Sequence, residues 1–284
     1  MTINKSKPEV NWLINSFDPI SLNDLNQKAE MLSRIDNKYV VQRESLQNVI
    51  EEVADNFEIL EINNCRAFTY NTRYFDDFER SAYYEHHQGL RKGFKVRVRR
   101  YADADLCFLE VKVKGKRGMT LKHRLPYDPH KIDKLTEEGF EFARSTYSGH
   151  YDKPFEYDLR QALDLRYLRI TLVEKSGGER MTIDTDLQFW TGGKSIKIKP
   201  GIFVVETKSE LGRGVADLSF RKVHERPIKR CSKYCVGMAA LGEVKKWNQF
   251  IPTMRKLNLI EGLSLVPHIE NIENIEIMEN RIAA

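Results

Sequence analysis

Between Phe94 and Tyr127 the chain alternates, residue by residue, between apolar and charged side chains in three successive runs. Phe94, Val96 and Val98 interleave with Lys95, Arg97 and Arg99; Leu109, Val111 and Val113 with Glu110, Lys112 and Lys114; Leu121 and Leu125 with Thr120, Lys122 and Arg124. Side chains of a strand point to opposite faces with a period of two, so each run predicts a strand with one apolar and one cationic face. Asp103-Ala104-Asp105 and Gly115-Lys116-Arg117-Gly118 supply turns between them. In one strand alone this pattern means only a half-buried antiparallel sheet. Its recurrence along the chain carries the argument.

Upstream, Arg34 to Val41 places Arg34, Asp36 and Lys38 on one face against Ile35, Asn37 and Tyr39. Leu46, Val49, Ile50 and Val53 recur at helical spacing and predict the core side of a helix over Arg43 to Ala54. Ala67 to Phe75 reads as a strand, followed by a short helix through Tyr83, Tyr84, His86 and His87. A helix from Pro129 to Tyr147 buries Ile132, Leu135, Phe140 and Phe142, and a shorter one covers Asp158 to Leu163. The alternation then returns. Leu165 to Glu174 sets Tyr167, Arg169, Thr171 and Val173 against Leu168, Ile170 and Leu172. Arg180 to Trp190 sets Thr182, Asp184 and Asp186 against Met181, Ile183 and Thr185, with Ser176-Gly177-Gly178 as the hairpin turn. Ile202 to Lys208 puts Val204, Glu206 and Lys208 together. Ser232-Lys233-Tyr234 opens the last predicted helix, which runs to Leu241 and whose N-terminus favours an anion.

About seven strands thus pair a polar face with an apolar one. Closing such a sheet turns the charged faces inward and the apolar faces toward flanking helices, so the expected fold is α+β, a closed antiparallel β-barrel whose charges line a tunnel. The expected organisation is an N-terminal helical segment (1–32) packed on the barrel, a main domain at 33–241 and a loosely docked tail at 242–284. Trp12, Leu13, Ile14 and Phe17 give the first segment its apolar patch, and Ser21 with Asp24 reads as the N-cap of a short helix reaching Met31. The Ile-Glu-Asn repeat after Ile269 marks the tail.

Composition narrows the partners. With 46 Lys and Arg against 41 Asp and Glu, the surface is mixed, which favours a local basic site over nucleic acid as a partner. No run approaches the roughly 18 apolar residues that span a bilayer, and the start, MTINKSKPEV, lacks an apolar signal core. A cytoplasmic protein without direct membrane insertion is expected, with no sign of its oligomeric state. Cys65, Cys107, Cys231 and Cys235 are too scattered for a disulfide framework, and no second cysteine pair stands by to complete a zinc site. Adjacent His86 and His87 point about 100° apart on a helix, so packing or hydrogen bonding suits them better than a shared metal.

The inward candidates are Lys38, Arg97, Arg99, Lys112, Lys122, Arg124, Arg169, Lys208 and Lys233, with Asp36, Glu110 and Glu206 as carboxylates. Like cations gathered in one space repel and lose solvation, so they require a polyanion. Arginine forks suit phosphate oxygens and lysines supply point charges between them. Glu206, with Asp36 or Glu110, offers hard oxygen ligands for Mn²⁺ or Mg²⁺. Neither a Ser-His-Asp arrangement nor a GxxxxGK[ST] loop is present. Phosphoryl transfer requires neither, since its transition state is stabilised by positioning and by charge on the equatorial oxygens.

Eight blocks in order carry a resemblance: Ser33-Arg34-Ile35-Asp36-Asn37-Lys38-Tyr39, Tyr74-Phe75-Asp76, Lys95-Val96-Arg97-Val98-Arg99, Leu109-Glu110-Val111-Lys112, Lys122-His123-Arg124, Arg166-Tyr167-Leu168-Arg169, Val205-Glu206-Thr207-Lys208 and Ser232-Lys233-Tyr234. Over roughly Ser33 to Leu241 the chain resembles the VTC domain, the polyphosphate polymerase domain of the vacuolar transporter chaperone complex, within the triphosphate tunnel metalloenzymes. The resemblance implies an eight-stranded antiparallel tunnel that binds a nucleoside triphosphate and extends a polyphosphate chain. It implies phosphate ligands at Lys38, Arg97, Arg99, Lys112, Arg169, Ser232 and Lys233, with Tyr167 beside them, and a metal on Glu206. The first strand has Arg34 and Asp36 where the superfamily's ExExK signature has glutamates, which weakens the case for a second metal site and for hydrolysis. The regulatory SPX domain and membrane helices of the fungal complex have no counterpart in these residues.

The resulting expectation is a Mn²⁺- or Mg²⁺-dependent enzyme that moves the γ-phosphate of ATP onto polyphosphate or pyrophosphate. Lys38, Arg97, Arg99, Arg169 and Lys208 would act at the reacting phosphate, and Lys112, Lys122, Arg124, Tyr167, Ser232 and Lys233 would hold the chain. The alternatives are a tunnel triphosphatase, with water as acceptor, and a polyphosphate-binding module without catalysis. Nucleic-acid binding would need stacking aromatics along the basic groove, and the aromatic residues read mostly as packing or helical positions.

Overall fold

The computed structural model describes residues 8–28, 35–104, 106–115 and 119–260. In chain order they form α1 (Asn11–Ile14), β1 (Asp18–Ile20), α2 (Leu22–Lys28), β2 (Ile35–Gln42), α3 (Arg43–Val53), β3 (Phe57–Leu60), β4 (Ala67–Asp76), α4 (Ser81–Gln88), β5 (Phe94–Tyr101), β6 (Leu106–Lys114), β7 (Thr120–Pro126), α5 (Glu137–Tyr151), β8 (Arg160–Glu174), β9 (Glu179–Thr191), β10 (Lys194–Lys197), β11 (Ile202–Ser209), α6 (Val215–Lys222), α7 (Lys233–Ala240) and α8 (Ile251–Lys256). Arg34, the Lys116-Arg117-Gly118 turn and the Ile-Glu-Asn repeat lie outside the described residues.

The main path of the sheet is antiparallel, in the order β2-β11-β9-β8-β4-β5-β6-β7. Short β10 adds to β9, β3 adds to β8, and β1 joins β3 in parallel. The α+β class is as expected, but the closed barrel is not formed: β2 and β7 are the two ends of the path, and no ladder joins them among the described residues. Alternation tells which face a side chain takes, whereas closure depends on strand number, tilt and stagger, which alternation does not encode. The β7 edge also lacks the cover a barrel wall needs, since every residue from Thr120 to Arg124 is exposed.

The sheet nevertheless curls. Lys112 on β6 and Glu206 on β11 stand five strands apart along the path, roughly 24 Å in a flat sheet at about 4.8 Å per strand, yet each feels the other's charge. The result is a trough open along one side. Its outer wall is covered by α1, α3 and α6 over β2, β11, β9 and β8, with Leu46, Val49, Ile50 and Val53 of α3 buried as their spacing predicts, and by α5 over β5 and β6. Inside, α7 and α8 fill one end against Leu163, Leu165, Tyr167, Phe189 and Val204. Helix α7 seats closely at Gly237, where an added methyl would lie 2.6 Å from Phe189 and 2.7 Å from Leu163.

Three local expectations give way to tertiary context. The segment expected as a helix at Asp158 to Leu163 instead opens β8, because Arg160 to Leu163 pairs with β4 across a register shift at Tyr74/Phe75. The helix expected from Pro129 begins at Glu137: Thr136 caps it by accepting from Gly139 N, and Tyr127 Oη accepts from Thr136 N, fixing the preceding turn. Helix α7 is not the last, since the chain returns through α8 and buries Phe250, Met254, Leu257 and Leu259 in the core beyond the expected boundary at 241. The Ser21 cap is as read, with its Oγ accepting from Asp24 N at 3.2 Å. No helix among the described residues is long and apolar enough to cross a membrane.

Candidate active site

Period-two alternation in seven strands, β2, β5, β6, β7, β8, β9 and β11, delivers the polar residues to one concave face. There, three carboxylates each stand directly across a ladder from a cation, and the site is built around them.

Glu110 is opposite Arg97 on one side and Arg124 on the other. It is fully buried. Its Oε2 accepts from Arg97 Nε at 2.7 Å and Nη2 at 2.5 Å, and its Oε1 accepts from Arg124 Nε at 3.1 Å. Arg99 and Lys122 lie at 3.8 and 3.7 Å. Burial alone would raise the pKa of this carboxyl, but the charges of Arg97, Arg99 and Lys122 outweigh it and hold the group far below the usual range.

Asp184 is opposite Arg169. The guanidinium grips it in a two-point fork, Nε at 2.6 Å and Nη2 at 2.7 Å, while Lys233 reaches the same carboxylate at 2.6 Å. Burial opposes ionisation here too, and the two cations again win. Lys233 is the first residue of α7. Its neighbour Ser232 caps that helix, its Oγ accepting from Cys235 N and from the Lys95 ammonium at 3.2 Å.

Glu206 is opposite Lys38 and shares its Oε1 with Lys38 at 3.7 Å and Lys208 at 3.2 Å. Against the effect of burial, the two ammonium groups keep it well below the ordinary range. Asp36 faces Lys208 across the same ladder. Lys95, Lys112 and Lys122 form a row across β5, β6 and β7 with no carboxylate directly opposite. Lys112 is pushed well down, first by the charge of Arg97 and then by burial, and Lys122, though part-exposed, is lowered to about 8, chiefly by partial loss of solvation. Such depressed lysines mark an excess of positive charge that a polyanion would relieve.

The structure therefore brings Arg97, Arg99, Lys122 and Arg124 around Glu110, Arg169 and Lys233 onto Asp184, and Lys38 and Lys208 onto Glu206, with Lys112 between them. Tyr167 forms part of the floor, buried, its hydroxyl without a hydrogen-bond partner among the described residues and its pKa raised by burial to about 12.

Several residues escaped the sequence reading. Asp184 alternates with Met181 and Ile183 as plainly as Glu206 does with Val205, and that was its signal; Lys95 likewise shares its face with Arg97. The aromatic residues are the larger correction, because they interleave with the cations on the trough face. Arg99 lies over Tyr70 at 5.3 Å and over Tyr167 at 6.0 Å, Arg169 over the same two rings, Arg97 over Tyr74, and Arg124 over Phe108. Rings that face cations are held by cation–π attraction and need no apolar pocket.

Among the described residues no group of three or more His, Cys, Asp or Glu side chains is placed to hold a metal ion. Glu110, fully buried with both its oxygens accepting from guanidinium groups, is a counter-ion and a poor metal donor. Glu206 is the carboxylate that fits: Mg²⁺ keeps several waters and binds through one or two carboxylates together with substrate phosphates, so a single glutamate suits an ion that arrives with its phosphate. His86 accepts from Lys95 and His87 faces Asn248, so the two imidazoles share no ligand.

A family model described as the VTC domain matches residues 33–242. No curated protein matches the sequence. Among solved structures, a candidate adenylate cyclase from Bacillus halodurans shares 11% identity over 71% of this chain and 95% of its own, with a TM-score of 0.46. A candidate adenylyl cyclase from Hippeastrum, described as having a dominant triphosphatase activity, shares 14% identity over 75% of this chain and 98% of its own, at 0.47. The PH1012 protein of Pyrococcus horikoshii shares 10% over 79% and 90%, at 0.35.

Proposed function

The chain belongs to the VTC domain family, a family of phosphate-handling triphosphate-tunnel enzymes, and on that premise we propose that it is an ATP-dependent polyphosphate polymerase. The observation that carries this reading is the excess of cations over the carboxylates they share on one concave face, with no carboxylate directly opposite the lysine row of Lys95, Lys112 and Lys122. A polyanion of repeating phosphates meets that charge in a way that a single phosphate does not.

The triphosphate lies along the trough over Arg97, Arg99 and Arg169. Glu110 and Asp184 hold these guanidinium groups in place before substrate arrives, so little reorganisation is needed as charge builds on the equatorial oxygens. Ser232, Lys233 and the N-terminus of α7 hold the terminal phosphate of the acceptor chain. An oxygen of that phosphate attacks the γ-phosphorus, a new phosphoanhydride bond forms, the bond between the β,γ-bridging oxygen and the γ-phosphorus breaks, and ADP departs. Mn²⁺ or Mg²⁺, held by Glu206 and phosphate oxygens, would neutralise charge on the β- and γ-phosphates.

Phosphorus NMR on the purified protein with ATP, Mn²⁺ or Mg²⁺ and a short polyphosphate primer tests the reading. Mid-chain phosphate growing as ADP accumulates is the expected result. Orthophosphate with ADP and no chain would replace the polymerase with a triphosphatase, and unchanged ATP under both metals would reduce the protein to a binding module.

A further inference from the structure

The trough has two unlike ends. Along β5, Lys95, Arg97, Arg99 and Tyr101 follow one another on the trough face in two-residue steps of about 6.8 Å. At the Lys95 end the ammonium donates to Ser232 Oγ beside the N-terminus of α7. At the Tyr101 end the row of β5 cations on this face gives way to rings. Tyr101 lies 4.7 Å from Tyr70 and meets Phe108 edge-on at 6.1 Å, and the Arg124 guanidinium stands 5.6 Å over Phe108. Tyr70 is tied into the floor by its stack on Tyr167, but Tyr101 and Phe108 are only half-buried, and Leu106 beside them is 46% exposed.

Inorganic phosphate chains have no apolar part and no use for such a surface. A nucleobase does: it stacks on rings and on guanidinium planes, and the stacking is tolerant of base identity. From Tyr101 to Arg97 is about 14 Å of strand, room for a ribose and a triphosphate between the rings and the α7 end.

We propose that Tyr101 and Phe108, with Leu106 at their edge, form a nucleoside subsite that takes a nucleobase by stacking. This rests on the phosphotransferase reading of the trough and adds a direction to it. The nucleotide lies with its base at Tyr101, its triphosphate over Arg99 and Arg97 and its γ-phosphate toward Lys95 and Ser232. The acceptor chain then approaches from the α7 end, away from the base.

Calorimetric titration of the full chain, in the presence of Mn²⁺, with a β,γ-imido ATP analogue and separately with tripolyphosphate tests the assignment. Phe108→Ala and Tyr101→Ala should each weaken the ATP analogue by about 5- to 100-fold and tripolyphosphate by less than about twofold, the range expected for loss of one stacked base. Phe108→Trp should keep analogue binding, which separates stacking from collapse of the strand. Equal weakening of both ligands, or of neither, would overturn the subsite. Wild-type binding of tripolyphosphate without the analogue would overturn it while leaving the basic trough standing, and wild-type binding of neither would bring down both readings.

Discussion

Glu110 faces Arg97 across the β5–β6 ladder and accepts from two nitrogens of its guanidinium group, at 2.7 and 2.5 Å. One fully buried carboxylate thus anchors the guanidinium proposed to meet the reacting phosphate.

Removing that anchor should cost stability before it costs activity. Glu110→Ala leaves the buried Arg97 and Arg99 without their counter-ion, and the expected loss is about 3–5 kcal/mol, read from the denaturant midpoint. Because the folded carboxyl is held far below its ordinary value of 4.5, its contribution is fully present above that value and is lost as pH falls beneath it. Acid titration of the wild type against Glu110→Gln should show this part of the slope missing in the variant.

Arg99→Ala and Arg169→Ala should each lower turnover by about 10²- to 10³-fold while circular dichroism stays native, as for the loss of one donor to a developing oxyanion. Lysine at 169 should rescue little, since it cannot reproduce the fork onto Asp184. Normal turnover in either alanine variant would remove that arginine from the reaction.

Lys122, lowered to about 8, is half-titrated in mildly alkaline buffer. It is cationic below that pH, so tripolyphosphate affinity should weaken as pH rises from about 7 to 9. Comparing wild type with Lys122→Met isolates the step, because ionisation of the ligand itself is common to both; parallel curves would exclude Lys122 as a phosphate contact.

Metal dependence should pass through Glu206. Paramagnetic Mn²⁺ titrations are expected to show weak binding to the protein alone, since Lys38 and Lys208 occupy the carboxylate, and tighter binding once tripolyphosphate is present. Glu206→Gln should abolish the increment and keep metal-free anion binding. Strong Mn²⁺ binding to the wild type without anion would contradict this order.

Much of the site was legible because alternation assigns faces. Arg97, Arg99, Lys112, Arg169 and Lys208 reach the trough for the reason that Val96, Val111, Ile170 and Thr207 do not. What alternation leaves out is curvature, and with it the seam between β2 and β7. It also mistakes amphipathic rings for core: Tyr70 and Phe108 look apolar in a pattern, yet their faces attract cations. The start of β8 was hidden for another reason. Arg160 to Leu163 owes its conformation to Tyr74 to Asp76 of β4, far upstream in the chain, and no local window contains that partner.

Gly237 sets how closely α7 can sit on the floor of the trough. With Phe189 and Leu163 so near that a methyl group would already collide, any larger residue at 237 must lift the helix off the floor or displace these two side chains. On the proposed reading, accommodation between a longer and a shorter ligand falls to flexible stems, the four-carbon chains of Lys95 and Lys233. The backbone supplies the tolerance of a machined seat, and the lysines supply the play.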